Sequence, residues 1–544
     1  MKTLLILFVM MITTLNASDW YASPTGLTVD EGGTGTFSNP WTLGIALKGA
    51  NGAVKPGDTL WVRGGTYRGR YASTLTGTAA LPIKVKVPFG ERAVIEGFIE
   101  TFTATLIPSA PAGSNTNFFI NGGGEGFSGN LPNNNMKVNL SYLPPGSTTA
   151  VEEVMLMFGA DRDRMWVQRA ACPGGTCPSF PVGTSVRGNA EYLKTGGAYT
   201  WFMGLEVQYT QDTHVYGAGA TNPPWPNFQG AVLDRCNGCK FINMAVRDSG
   251  ANGFFSSPTA QGTEIYGNLV FYNGVDQLGN RGHGHGVYAQ NTDNGPDKTI
   301  EHNVFMRSFG HGNQIYGSSA SWLDNFKVIG NVFFNAGEPA GGTRGGTHFV
   351  IGDAGVFTGH IFKDNMSYGV KNVDIGYGGS ASAPECTSPS ITGNYLINRT
   401  NGLVLKVTCK TPTITGNTLY GSISGFNRGT YSNNTYLSNL SGQRIFVLPN
   451  RYELGRGWIV VYNWSNLGFA TINVSSVGLV NGDRFKVVDL QNYDGLPVLQ
   501  GTYNGAPIVL PLTNTAVTQP FGTIAVPPIV HTPAEFNVFL IVKE

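Results

Sequence analysis

The densest run of groups able to move protons is NRGHGHGVYAQN at 280–291, which carries Arg281, His283 and His285. His311 follows, so three of the chain's eight histidines fall in one short region. Imidazole titrates near neutral pH and serves as general acid or base. Guanidinium is a fixed positive charge that pairs with carboxylates. Together these groups suit β-elimination from a uronate: a cation pairs the carboxylate, a base removes the acidified proton and an acid protonates the departing oxygen. Arg281, His283, His285 and His311 are therefore the candidate catalytic residues. Tyr288, Gln290, Arg307, Tyr316 and Trp322 are the candidate substrate-binding residues, since rings and amides suit sugar faces and hydroxyls. The competing role for the histidines is structural, as caps on chain turns bonded to backbone.

Hydrolysis of a glycan would instead need two carboxylic acids, ~6.5–9.5 Å apart for inversion or ~5–5.5 Å for retention. Asp234, Asp248, Asp276 and Glu301 are the alternative catalytic acids, with Glu264 nearby. A non-catalytic carbohydrate-binding or adhesin role is the third alternative. No metal centre or other cofactor is expected. Cys236-Asn-Gly-Cys239 has CxxC spacing, but no second pair completes four ligands, so a structural role for these cysteines is expected. Calcium stays open only at Asp293 and Asp297, which flank a loop without the EF-hand pattern.

The elements that must position these groups announce themselves between 264 and 422. An apolar triplet, usually Gly, then Asn, then another apolar triplet recurs as IYGNLVF, IEHNVFM, VIGNVFF, FKDNMSY, ITGNYLI and ITGNTLY. The Asn falls at 268, 303, 331, 365, 394 and 417, at intervals of 35, 28, 34, 29 and 23. Such a period, built of strands, marks a solenoid. The repeated Asn is expected to tolerate tight turns and to bond coil to coil. Phe271, Phe305, Phe333 and Tyr395 follow it and are expected to stack inside.

A second strand set lies between the Asn phrases. It stacks by pattern as Gly253-Phe254-Phe255, Gly286-Val287-Tyr288, Gln314-Ile315-Tyr316, His348-Phe349-Val350, Asp374-Ile375-Gly376 and Leu403-Val404-Leu405. This stacking sets His283 beside His311 and His285 between Asn252 and Asn313. Tyr288, Tyr316, Trp322, Trp201 and Trp225 then remain as candidates to stack on sugar rings.

Near the start, WYASPTG, PWTL, KPGDTLWVRGGTY and PFGERAVIEG read as a short strand, a helix start, a turn with a strand, and a turn into a strand. These pieces resemble the N-terminal cap and first coils of right-handed parallel β-helix proteins of the pectate-lyase-like superfamily. The resemblance covers 19–97 and 195–440. It implies an all-β fold and does not fix the reaction, because that superfamily holds lyases, hydrolases, esterases, epimerases and adhesins. GHG at 282–284 and NTD at 291–293 echo two polygalacturonase motifs in reversed order. The paired-Asp and Arg-Ile-Lys motifs of that family are absent, as is the Arg-x-Pro-x-x-Arg motif of the main pectate lyase family, so no role transfers.

The expected organisation is a signal peptide at 1–17, a parallel β-helix at 18–441 and an antiparallel β-sandwich at 442–544. An insertion at 98–195 is expected to wall a binding cleft. The sandwich is expected to cap the open solenoid end. Lys2, the apolar residues 4–12 and Leu15-Asn16-Ala17 carry the signal-peptide pattern, and no later run is long enough for a membrane span. Six cysteines suit an oxidising compartment, with Cys172–Cys177 and Cys386–Cys409 as candidate bridges. Secretion, extracellular or periplasmic, follows. A formal net charge of +1 argues against nucleic acid as a partner. The expected partner is a polysaccharide, and the expected state a monomer.

Overall fold

The structure is a computed structural model. It describes residues 17–544 except 70, 98–99, 107–117, 122–135, 144–150, 162–163, 170–184, 189–191, 210–213, 217–229, 278–283, 318–321, 342–345, 354–356, 380–385, 523 and 525–527. Within 100–188, and at 215–216 and 276–277, the backbone course alone is described. The expected signal peptide, Arg281, His283, Trp225, Cys172 and Cys177 thus lie outside the described residues, as does the side chain of Asp276.

Three long parallel sheets of eleven, eleven and ten strands run the length of the chain's main body. Each turn of chain adds one strand to each sheet, which is the right-handed parallel β-helix expected from the opening motifs. The interior is a set of register-aligned rows. In the first sheet one row runs Leu60, Val85, Phe202, Phe241, Ile265 and Ile300, then on to Ile414. All of these are buried. Apolar side chains must face inward on every second position, and the coils' near-constant cross-section then locks the register. The helix Leu43–Leu47, capped by Thr42, lays Leu43, Ala46 and Leu47 over the first coil.

The Asn phrase is the corner between the first and second sheets. Two residues make each turn, as in Gly267-Asn268 and Gly330-Asn331. The residue before Asn is left-handed throughout, with φ of 68°, 53°, 62°, 53°, 70° and 69° at 267, 302, 330, 364, 393 and 416. That conformation explains the Gly. Each Asn backbone N–H and Nδ2 donate to the Oδ1 of the Asn one coil ahead. From Asn268 to Asn434 these amide–amide bonds measure 2.7–3.1 Å. The expected ladder is present, and it is buried.

The aromatic residues after the Asn divide into two rows. Phe305 and Phe333 stack inside at 5.3 Å. Phe271 and Tyr395 face outward instead, under the C-terminal sheets. Their offsets from Asn differ by one position, and a one-position shift on a strand changes the face.

Residues 100–188 form a closed antiparallel barrel of six strands rather than further coils. After the last coil, a five-stranded and a two-stranded antiparallel sheet enclose their own core around Ile459, Val487 and Leu510. This sandwich does not cap the open end of the solenoid. The strands Arg456–Asn463 and Phe536–Lys543 lie lengthwise on the outer face of the second sheet, with Trp458, Val460, Tyr462 and Phe536 against Phe271, Met306, Phe334 and Tyr368. The second sheet's outward positions are apolar, so they demand a cover along their length. The end is closed more simply, by Phe426, Tyr431 and Tyr436 packed on the last interior residues.

Candidate functional site

Connections into the third sheet vary in length. Four residues lead from Arg247 to Asn252, whereas the chain between Phe334 and Phe349 is much longer. The third sheet is covered by neither the sandwich nor the ladder corner among the described residues.

The pairing in this sheet runs Phe254, Val287, Asn313, Phe349, Val373 and Leu405. The expected stacking is displaced by two residues at Gln314-Ile315-Tyr316 and at Asp374-Ile375-Gly376, holds at His348-Phe349-Val350, and is off by one at Leu403-Val404-Leu405. A two-residue slip preserves the in–out alternation, which is why pattern alone could not expose it. His311 consequently lies beside His285, with ring centroids 4.9 Å apart, where the expected stacking pairs it with His283. Asn313 points inward in the row of Val287 and Phe349 and does not flank His285.

At the corner entering this sheet runs a second ladder. The His285 N–H donates to Asn252 Oδ1 at 2.9 Å. His311 N–H donates to His285 Nδ1 at 2.9 Å, and Thr347 N–H to His311 Nδ1 at 2.9 Å. An Nδ1 that accepts a backbone proton carries none itself, so both neutral rings hold their proton on Nε2. Neither ring has a free basic nitrogen, and the general-base role expected of His285 and His311 is not what this geometry offers. Burial, and then the positive charge of Lys371, push His311 down to about 4, so it stays neutral and donating. Burial also lowers Lys371, which occupies the next position of the same corner row.

The outward row of the sheet carries Phe255, Tyr288, Gln314, Val350, Asp374 and Lys406 in register. Phe255 and Tyr288 stack at 5.4 Å with planes 6° apart. Tyr288 lies 6.4 Å from Tyr316, and Tyr316 lies 6.5 Å from Tyr377. A track of rings thus follows the helix axis. Gln290 Nε2 donates to the Tyr316 carbonyl at 2.9 Å, which fixes it beside the track. Tyr316 donates its hydroxyl to Asp353. That bond, then burial, raises Tyr316 to about 12, while burial, then the Asp353 charge, raises Tyr288 to about 12. Lys406 pairs with Asp374 at 3.0 Å. Trp322 is 41% exposed and joins Asn291 by paired backbone bonds at the sheet's edge.

Other expected residues are placed elsewhere. Arg307 is fully buried beneath the sandwich, where it binds Glu338, Gln491 Oε1 and the Val530 carbonyl, so it is an interdomain anchor and not a substrate contact. Asp248 is buried with Arg247 in the same seam and accepts the Phe521 N–H. Asp234 lies inside the solenoid, accepting from Ser256 and Thr263 at 2.8 and 2.7 Å, with the buried Lys298 close by. Burial lowers Lys298 to about 7 against the opposing pull of Asp234. Glu301 binds Arg451 from the sandwich at 2.6 Å. Asp234, Asp248 and Glu301 therefore belong to three separate networks, and none of them forms an opposed pair in a groove. Asp297 is taken by Lys327, and Asp293 accepts from Asn294. Among the described residues no three His, Cys, Asp or Glu side chains gather as metal ligands. Cys236–Cys239 and Cys386–Cys409 are disulfides.

Phe255, Asp353, Lys371, Asp374, Tyr377 and Lys406 were not among the expected site residues. Asp374 and Lys406 were legible, since each sits between two apolar residues (Val373 and Ile375, Leu405 and Val407), the alternation of an outward position.

No family model matches the chain, and no curated protein matches it. Among solved structures, the complex of XylC with xylose is similar at 11% identity, over 96% of this chain and 99% of that one, with a TM-score of 0.41. The pectate lyase Pel9A is similar at 12% identity, over 74% of this chain and 79% of that one, with a TM-score of 0.37. An alginate lyase from Paenibacillus is similar at 14% identity, over 77% of this chain and 99% of that one, with a TM-score of 0.35.

Proposed function

We propose that the protein is an exported polysaccharide-degrading enzyme that holds an acidic, uronate-containing glycan along the third sheet and cleaves it by β-elimination. The observation that carries this reading is the track of Phe255, Tyr288, Tyr316 and Tyr377, flanked by Lys371, Lys406, Gln290 and Gln314 on the third sheet. Rings present flat apolar faces to sugars, while amides and ammonium groups meet hydroxyls and carboxylates. The two disulfides support an oxidising compartment.

Within this reading the roles are divided as follows. Lys406, shared with Asp374, pairs the uronate carboxylate and acidifies the adjacent C5 proton, and Arg281 is a further candidate for that pairing. Burial disfavours the charged form of Lys371, and Lys371 takes that proton. Electrons from the C5–H bond form the C4=C5 double bond as the C4–O bond breaks. Tyr288, held protonated at neutral pH, donates its proton to the departing oxygen. His285 and His311 act through Nε2–H as fixed donors, and His283 is carried as a candidate from the sequence alone.

A hydrolytic version has one observation in its favour: Asp374 belongs to this sheet and Asp353 directly follows its strand Phe349–Gly352. Incubation with polygalacturonate and with alginate separates the two. Elimination yields an ultraviolet-absorbing unsaturated uronate at each new non-reducing end. Hydrolysis yields new reducing ends without that absorbance. Reducing ends without absorbance would overturn the lyase reading, and binding with neither product would leave an adhesin.

A further inference from the structure

The first sheet carries a separate cationic and aromatic surface on its early coils. Two outward rows run side by side there. One places Tyr21, Trp61, Lys86 and Met203 in register, the other Lys84, Trp201, Lys240 and Glu264. Lysine ammonium groups and indole faces alternate between strands. Lys86 Nζ lies 5.4 Å from the Trp61 ring centroid, and Lys84 and Lys240 lie 5.8 and 4.7 Å from that of Trp201.

Each of these five side chains is partly exposed. The indole edges are pinned from behind or beside. Trp61 Nε1 donates to Asp19 at 2.8 Å, and Trp201 meets Tyr452 of the sandwich edge-on at 5.7 Å. Lys240 is engaged by Glu264 and the Tyr452 hydroxyl. Lys84 and Lys86, by contrast, have no carboxylate within ion-pair distance among the described residues. Two uncompensated ammonium groups on a rigid sheet, with two fixed indoles, leave positive charge directed outward. Adjacent strands lie about 4.8 Å apart, close to the length of one pyranose ring. A strand-wise alternation of ring and cation therefore matches a chain of sugars bearing carboxylates.

We propose that Trp61, Lys84, Lys86 and Trp201 form a second, non-catalytic binding surface for an anionic polysaccharide. It rests on the acidic-glycan reading given above for its choice of ligand. Because it belongs to the first sheet, it holds the polymer at a different face from the third-sheet track. Its effect is confined to long chains able to reach both faces, and short oligomers use the track alone.

The test uses the full chain with polygalacturonate as the polymer, dextran as the uncharged control and a short oligogalacturonate as the small substrate. Retardation in gels containing each polymer reads binding, and release of unsaturated product reads cleavage. The charge reversal K84E/K86E and the truncation W201A are compared with the conservative K84R/K86R, all checked for an unchanged melting temperature. The expected result is at least a tenfold loss of polygalacturonate retardation for K84E/K86E and W201A. Near-parental retardation is expected for K84R/K86R, and unchanged cleavage of the oligomer for all three. Parental retardation in K84E/K86E overturns the surface while leaving the lyase reading intact. Retardation that depends on Lys84 and Lys86 but yields no product on any substrate supports the surface and overturns the lyase reading. No retardation of the parent by polygalacturonate overturns the surface outright.

Discussion

At the corner between the first and second sheets, each Asn gives its backbone N–H to the side chain of the Asn one coil ahead. At the corner entering the third sheet, His311 and Thr347 give theirs to the ring of the histidine one coil behind. Both corners satisfy backbone groups that coil stacking would otherwise leave buried and unpaired. They differ in what remains afterwards. Asn uses its carbonyl and its amide within the ladder, so nothing is left to meet a ligand. Histidine uses Nδ1 for the backbone and carries its proton on Nε2, outside the ladder. The first corner is uniform because every member must be the same residue. The second tolerates Asn, His and Thr in turn, and it is there that side chains can take on other work.

The largest expected effect of a single substitution comes from breaking the uniform corner. Asn331→Ala removes the acceptor for Asn303 and the donor to Asn365 and to the Ile300 carbonyl, all buried. Several orphaned groups at ~1–3 kcal/mol each predict a loss on the order of 4 kcal/mol. Denaturant unfolding measures it, and a loss below ~1 kcal/mol would mean the ladder is dispensable.

Next comes acidity. Amides do not titrate, whereas burial, with Lys371 adding to it at His348, pushes His348 and His360 down to about 3. The unfolded chain takes up protons on these rings below ~6.5 while the fold refuses them. Stability is therefore complete above that pH and falls as pH drops, by about 1.4 kcal/mol per unit per ring. Melting temperatures between pH 7.5 and 4.5 should decline, and His360→Phe should flatten the slope.

Tyr288→Ala tests the track at the second corner's edge. Loss of a central ring predicts a tenfold to hundredfold fall in glycan affinity, on the order of 1.4–2.7 kcal/mol, with little change in melting. The finest discrimination is at His311. Asn there restores an acceptor for the Thr347 N–H and removes Nε2, while Ala removes both. His311→Ala should cost about 1–2 kcal/mol of stability and His311→Asn less than half as much. If both variants keep full activity, Nε2 has no part in the reaction.

The fold was legible because its signals are local. A left-handed residue, then Asn, then an apolar triplet can be read without knowing what lies beside it. The candidate site was only partly legible because it depends on which residues of separate coils become neighbours. Connections of unequal length precede each third-sheet strand, so counting from one Asn to the next does not fix the register. A slip of two kept the right residues facing outward and paired His311 with the wrong histidine. Arg307 shows a second limit: its charge looked like a ligand for substrate, and only the sandwich laid over the second sheet turns it into a buried anchor. The same blind spot hid Asp248, and Asp234 was misread because inward Asp and outward Asp look alike in sequence.

The lengthwise seat of that sandwich changes how the stack should come apart. Coils in a solenoid are held by their neighbours alone, so such molecules ordinarily fray from an end and melt in stages. Here one rigid plate touches the second sheet from Arg247 to Ile397 at once. A coil beneath it cannot loosen without lifting the plate from the others. The coupling of distant coils through a shared cover makes the middle of the stack one cooperative unit, and it confines stepwise melting to the coils that extend beyond the plate.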